Sequence, residues 1–261
     1  MLYPWAMADP AIQLSGVSKR YGAHAALDGV DLAVPRGAFV ALVGGSGSGK
    51  TTLLKTINGL IAPDAGRVTV DGEDVAAVPP HQLRRRIGYV FQEVGLFPHL
   101  SVAENIGVTP RLLGWDRARI AARVAELLEL VALPSEMAAR APAALSGGQR
   151  QRVGVARALA AEPRIVLMDE PFGALDPVIR DALGADVRAL HERLGLTTVM
   201  VTHDMAEAVL LADRIVVLDG GRILADGAPA ELMAHAGDPQ VRALLEAPKR
   251  QAERLRERLG A

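Results

Sequence analysis

The sequence predicts an α/β fold, a mostly parallel sheet with helices on its faces. Three observations carry this reading. Short, mostly apolar runs rich in β-branched residues, FVALV at 39–43, RIVLMDE at 164–170 and TTVMVTH at 197–203, alternate with segments of helical periodicity. The first run leads through a glycine-rich stretch, GGSGSGKTT, into KTTLLKTINGL, which is a strand–loop–helix unit. Between about 94 and 145 no strand pattern is visible, so a helical lobe interrupts the alternation.

Taken in order, IQLSGVSKRYG and GVDLAVPRGAFV alternate as short strands do. GRVTVDGEDV reads as a hairpin with Asp71-Gly72 at its turn. RRRIGYVFQ ends in a strand, IGYVF. In the lobe, VAENIGVTPRLLGW and ARIAARVAELLELVAL carry helical periodicity. After it, DPVIRDALGADVRALHERLG and DMAEAVLLA are the helices between strands, and RIVVLDGGRILADG at 214–227 closes the sheet. The expected core domain spans 12–228, with the lobe at about 94–150 inserted in it. The tail, 229–261, contains VRALLEAPKRQAERLRERL and reads as a short solvated helix broken at Pro248.

Composition narrows the function classes. Of 261 residues, 50% are apolar and only 3% aromatic, so the core is built from Ala, Val, Leu and Ile. A net charge of −1 gives no global field for nucleic acid. The absence of cysteine excludes disulfides and thiolate metal sites. No apolar run reaches eighteen residues, so no membrane-spanning helix is expected. The start, MLYPWAMADPAIQL, lacks the basic and apolar regions of a signal peptide, and Met7 is an alternative start to Met1. There are 25 arginines against 4 lysines, and one of the lysines is Lys50.

Gly44-x4-Gly49-Lys50-Thr51 follows a buried strand and opens a helix, which is the context of a phosphate loop. Glycines let backbone N–H groups wrap phosphates, Lys50 reaches the outer phosphates, and the Thr51 hydroxyl ligates Mg2+. Asp169 and Glu170 end RIVLMDE, where open α/β sheets bind ligands. Asp169 there holds Mg2+, and Glu170 polarises an attacking water as general base. His203 can meet the outermost phosphate or merely cap a helix with Asp204. Gln92 can bridge metal and water or be a polar strand end. Tyr21 can stack on adenine or be an ordinary strand aromatic. A second stretch, ALSGGQRQR at 144–152, has the small residues of an anion-binding helix start but no lysine, carboxylate or base. It is either half of a site completed elsewhere or a plain helix capped by Ser146.

Together these motifs resemble the ATP-binding subunit of an ABC transporter over almost the whole chain. Within that pattern Tyr21 matches the adenine platform, and Gly44, Gly45, Ser46, Gly47, Ser48, Gly49, Lys50, Thr51 and Thr52 the Walker A loop. Gln92 matches the Q-loop, and LSGGQ, with Ser146, Gly147, Gly148 and Gln149, the signature. Asp169 and Glu170 match Walker B and its catalytic glutamate, Asp176 the D-loop and His203 the switch histidine. The resemblance implies a phosphate-loop (RecA-like) core, an N-terminal antiparallel β subdomain and an inserted helical subdomain. It implies ATP and Mg2+, with Thr51, Gln92 and Asp169 at the metal and Glu170, His203, Gln92 and Lys50 at the chemistry. It implies a second copy packed head to tail and integral-membrane permease subunits, with a secreted or periplasmic substrate-binding protein behind them. The location implied is cytoplasmic, peripheral on the inner face of the membrane.

A narrower resemblance rests on GYVFQEVGLFPHLSVAENIGVTPRLLGW, DEPFGALDPVIRD and VTHDMAEAVLLADRI. These resemble importer ATPases, nearest those for osmoprotectants such as glycine betaine, choline and carnitine. Importers of amino acids or polyamines, and ABC ATPases outside transport, are the alternatives. About 33 residues follow Ala228, too few for the regulatory domain some relatives carry. VGLFPHL at 94–100 is expected to couple to the permease through Leu96 and Phe97, unless both pack within the lobe.

Overall fold

The chain folds around a six-stranded sheet, five of whose strands run parallel. The computed structural model describes residues 10–235 and 238–259, so the two candidate start methionines lie outside the described residues. The strands are β1 (Pro10–Tyr21), β2 (His24–Pro35), β3 (Phe39–Val43), β4 (Ala65–Val70) and β5 (Glu73–Asp74), then β6 (Ile87–Val90), β7 (Ile165–Asp169), β8 (Thr197–Val201), β9 (Arg214–Asp219) and β10 (Arg222–Gly227). The helices are α1 (Lys50–Ile57), α2 (Pro80–Arg86), α3 (Val102–Ile106), α4 (Val108–Leu112) and α5 (Arg117–Leu130), then α6 (Gly147–Leu159), α7 (Pro177–Leu194), α8 (Met205–Leu211), α9 (Pro229–His235) and α10 (Pro239–Leu259).

The main sheet has the order β10-β9-β3-β8-β7-β6, and a smaller antiparallel sheet the order β2-β1-β4-β5. Strands β3, β7 and β8 are buried along their whole length, as central parallel strands covered on both faces must be. Alternate residues of β3 point to two separate cores. Phe39, Ala41 and Val43 face the helices α3, α5, α6, α7 and α8. Val40 and Leu42 face α1 and the antiparallel sheet, meeting Leu53, Leu54, Leu14 and Val30. So one face of the sheet is covered by helices, and the other largely by a second sheet together with α1 and α2. The hairpin joining β4 and β5 turns at Asp71 (φ 50°) and Gly72 (φ 80°). Two consecutive positive φ values match the twist of the strands they join.

Several elements differ from the sequence reading. IGYVF stops one residue early, leaving Phe91 exposed beside Tyr89, with ring centroids 4.5 Å apart. The basic residues before it form the end of α2 rather than an approach to the strand. TTVMVTH ends at Val201, so His203 stands two residues beyond the strand. The first lobe segment is broken at Gly107, giving the short α3 and α4. A capping box between Ser101 and Glu104 starts α3.

The tail differs most. Helix α10 runs through position 248 rather than breaking there. A proline removes one main-chain hydrogen bond, and a helix anchored on one side of it can continue. The anchor is on the core: Val241 and Leu245 are buried in the helix-side cluster, and α10 packs against α8 and α9. The first turns of the tail are therefore docked, not solvated. Among the described residues no helix is long and apolar enough to cross a membrane.

Leu245→Ala should cost about 2–5 kcal/mol, the range for emptying a buried leucine site. Urea denaturation of the full chain measures it, and a solvated tail would instead give a change near zero.

Candidate active site

The loop between β3 and α1 is shaped by two backbones that press on it. Gly44 (φ 151°) leaves no room for a side chain, because a Cβ would stand 2.1 Å from the Leu218 carbonyl oxygen. Gly49 (φ 102°) is as tight, with the Ala26 carbonyl oxygen 2.2 Å away. Gly47 (φ 78°) needs its glycine for the turn alone, since nothing lies within 4 Å. The Lys50 ammonium arches back over this loop. It donates to the carbonyls of Gly44 (2.9 Å) and Gly45 (2.7 Å) and lies 3.3 Å from the Ser48 hydroxyl. Burial lowers its pKa, and the charges of Glu170 and Asp169 oppose that shift.

Asp169 ends β7 and is nearly buried. Its Oδ1 accepts from the Thr51 hydroxyl at 2.9 Å, and its Oδ2 from the Tyr89 hydroxyl at 3.4 Å. Burial first, then the charge of Asp169, pushes the Tyr89 pKa far upward. That keeps the phenol protonated and able to donate. Glu170 then leaves the strand direction, with φ 45°. Its N–H donates to Val201 O at 3.0 Å, which holds the turn against β8. The Glu170 carboxylate meets two side chains: Gln92 Nε2 donates to Oε2 at 3.3 Å, and His203 Nδ1 lies 3.1 Å from the same oxygen.

These contacts place the residues whose roles the sequence left open. Gln92 reaches Glu170 rather than Asp169. His203 caps nothing, because Asp204 alone caps α8, accepting from Ala206 N–H (2.8 Å) and Glu207 N–H (3.3 Å). Tyr21, at the end of β1, is 50% exposed. Leu96 packs against the helix-side core, whereas Phe97 is exposed. Phe97 and Phe91 line a groove of about 500 Å3 together with Tyr89, Leu60, Arg84 and Arg157.

The second helix start stands apart. Ser146 caps α6: its hydroxyl accepts from Gln149 N–H at 3.2 Å, and the Gln149 side chain accepts from Ser146 N–H at 2.9 Å. The two glycines have different reasons. A Cβ on Gly148 would stand 2.7 Å from Ile179 Cγ2 of α7, whereas Gly147 is exposed with nothing nearer than 3.9 Å. Asp176 likewise caps α7, accepting from Ile179 N–H at 3.0 Å. None of these hydrogen bonds reaches Lys50, Asp169 or Glu170.

Sequence reasoning missed two residues of the site. Tyr89 carried only the signal of a polar tip within an apolar strand. Gly173 is the other: it lies against the Glu170–His203 pair, and a Cβ there would be in ordinary contact, 3.7 Å from Glu170 Oε2 and 3.9 Å from His203 Cε1.

A buried lysine in a glycine loop beside a carboxylate pair, with a separate lysine-free SGG helix start, fits the resemblance that the motifs carry. The profile described as ABC transporter matches residues 27–173. The chain belongs to the ABC transporter family. It is 49% identical over 231 residues to the glycine betaine uptake system ATP-binding protein of Escherichia coli (strain K12), covering 88% of this chain and 75% of that one. It is 50% identical over 223 residues to a glycine betaine/carnitine/choline transport ATP-binding protein of Bacillus subtilis (strain 168), covering 85% of this chain and 59% of that one. It is also 50% identical over 222 residues to the sulfate/thiosulfate import ATP-binding protein of Mycobacterium tuberculosis (strain ATCC 25618 / H37Rv), covering 85% and 62%. The chain thus spans three quarters of the first relative and about three fifths of the other two. The dimeric structure of a bacterial ABC transporter cassette superimposes with a TM-score of 0.76 at 35% identity, covering 83% of this chain and 98% of that one. As an ABC cassette the chain is an ATP-binding ATPase.

The glycine geometry predicts an order of severity. Gly47→Ala should lose about 1–2 kcal/mol, the strain of a left-handed alanine. Gly49→Ala should lose more and also weaken binding of a fluorescent ATP analogue at least about tenfold, because the Ala26 carbonyl cannot move aside. Thermal denaturation and fluorescence titration of both variants check the order.

Proposed function

We propose that this cassette powers an importer of small quaternary amines such as glycine betaine, choline and carnitine. The single observation behind the mechanism is the split of the phosphate-facing groups. Lys50, Thr51, Asp169, Glu170, Gln92 and His203 converge within one chain, while the Ser146–Gln149 helix start closes on itself without joining them. A second copy packed head to tail would bring its Ser146, Gly147 and Gly148 to the open side of each site, giving two equal sites by two-fold symmetry. Asp176, at the head of α7, would then face the partner. The solved dimer of a similar cassette supports this arrangement.

Each side chain then has a task. Tyr21 offers its exposed face to adenine. The loop 44–52 wraps the phosphates with backbone N–H groups, and Lys50 exchanges loop carbonyls for phosphate oxygens. The Thr51 hydroxyl and Asp169 carboxylate are hard oxygen donors 2.9 Å apart, which suits Mg2+. Among the described residues no cluster of three or more His, Asp or Glu could hold a metal unaided. The phosphates must therefore supply further ligands, as is usual for Mg2+, whose charge would offset theirs. Glu170 takes the proton of the attacking water. His203 would orient Glu170 and the outermost phosphate, and Gln92, now bonded to Glu170, would be the side chain that reaches metal and water.

The groove beside Gln92 is the proposed seat of a permease segment, with Phe97 and Phe91 as its apolar contacts. That would hold the chain peripherally on the inner face of the membrane. The solute is read by the permease and by a secreted or periplasmic binding protein. The cassette's likeness to the sulfate relative, equal to its likeness to the quaternary-amine relatives, makes sulfate import the second reading. Deleting the gene and following uptake of labelled glycine betaine and of sulfate separates the two. Loss of sulfate uptake with normal betaine uptake would overturn the proposed solute.

Two further outcomes are expected. Glu170→Gln should bind ATP normally, lose at least about a thousandfold in turnover and accumulate as an ATP-bound dimer in size exclusion. Ser146→Arg and Lys50→Ala should each be inactive alone, yet regain one working site when mixed. Persistent inactivity of every mixture would remove the shared site.

A further inference from the structure

One partly buried guanidinium closes a ring of contacts around the base and the histidine. Arg180 lies in the first turns of α7, with its side chain 26% exposed. Its NH2 group donates to the Leu175 carbonyl at 3.1 Å, the residue just before the Asp176 cap. NH1 donates to Asp204 Oδ2 at 3.3 Å, and Nε lies 3.6 Å from Glu207 Oε1 without a hydrogen bond. Both chain neighbours of His203 are held by the same network. Asp204 uses its other oxygen to cap α8, and its N–H donates to the Thr202 hydroxyl at 3.0 Å. Thr202 in turn donates to Glu207 Oε2 at 2.6 Å.

The segment ahead of α7 is as tightly bound to Glu170. Gly173 N–H donates to Glu170 O, and Leu175 N–H to Phe172 O. Contacts therefore run from the Glu170 carboxylate to His203, through Asp204 to Arg180, through Leu175 and its turn, and back to Glu170. Arg180 is the member that joins the turn 171–176 to the histidine side. Such a ring cannot have one segment displaced without moving another or breaking a bond.

We propose that Arg180 is a positioning residue that links the turn carrying Asp176 to His203, so that contact of this turn with a second copy sets the geometry of the Glu170–His203 pair. This rests on the head-to-tail dimer described above. The planar guanidinium is needed for it, because two separated acceptors, a carbonyl and a carboxylate, must be reached at a fixed angle. A lysine ammonium is a compact point charge on a flexible stem, without the rigid planar fork that fixes the angle between two acceptors on different segments. Arg180 touches neither the phosphate loop nor the Asp169 carboxylate in any hydrogen bond of the structure, so its effect should fall on turnover and not on ATP binding.

The test measures kcat, KM and melting temperature of the full chain in Arg180→Gln, Arg180→Lys and Asp204→Asn. Asparagine still caps a helix, so Asp204→Asn breaks the link while keeping α8 started. All three variants should lose about 10- to 100-fold in kcat, the cost of a misplacement near 1 Å, with KM for ATP within about twofold. In a Glu170→Gln background, Arg180→Gln should still dimerise with ATP. A kcat within about twofold of the parent in Arg180→Gln, recovery by Arg180→Lys, or a rise in KM at unchanged kcat would each overturn the proposal. Failure of Glu170→Gln alone to dimerise would overturn the dimer reading first, and the proposal with it.

Discussion

Three parallel strands, β3, β8 and β7, stand side by side in fixed register, with Leu42 beside Val201 and Val201 beside Asp169. The glycine loop, the acidic pair and the histidine of the candidate site emerge from their common carboxyl edge. Beyond β3 comes the glycine loop, beyond β7 the acidic pair, and beyond β8 the histidine. Two main-chain hydrogen bonds carry the register past the strands themselves: Thr202 N–H to Leu42 O, and Glu170 N–H to Val201 O. A slip of one residue in any of these strands would turn its alternating side chains from one core to the other. The two cores on either side of the sheet therefore hold the site in alignment.

At this edge, local costs are accepted where the chemistry needs them. Glu170 has a left-handed backbone, worth about 1–2 kcal/mol of strain for a residue with a side chain. That turn takes its carboxylate out of the strand direction toward Gln92 and His203. Burying the Lys50 ammonium is unfavourable, which is why its pKa falls. Two carbonyls, a hydroxyl and two nearby carboxylates limit the cost. The acceptors that hold the ammonium thus belong to the loop itself.

The SGG helix start has the opposite character. Its serine and glutamine satisfy one another, and its buried glycine answers to a neighbouring helix. Nothing in it draws on the edge of the sheet. The helix start is locally complete, and the proposed head-to-tail dimer would use it as the second wall of a site. The turn that leads to α7 links the two regions, since Glu170 begins it, Asp176 ends it and Ile179 beyond it packs on Gly148.

The sequence by itself determined the strand–loop–helix units and the residue types of the site. Buried strands such as FVALV and IVLMD show their length in unbroken apolar runs, and the requirement for glycine at tight loops leaves a pattern that can be read directly. It also determined the Asp71-Gly72 hairpin, because that turn needs residues tolerant of positive φ. Only the tertiary structure decided what depends on neighbours distant in the chain. That Gly148 answers to Ile179, that Tyr89 donates to Asp169, and that Leu96 is inside while Phe97 is outside are facts of packing between segments. The tail shows the same limit. Its proline predicts a break from local chemistry alone, but Val241 and Leu245 reach the core and hold the helix in place. Local propensity is encoded residue by residue, whereas burial and contact are created only when the sheet brings those residues together.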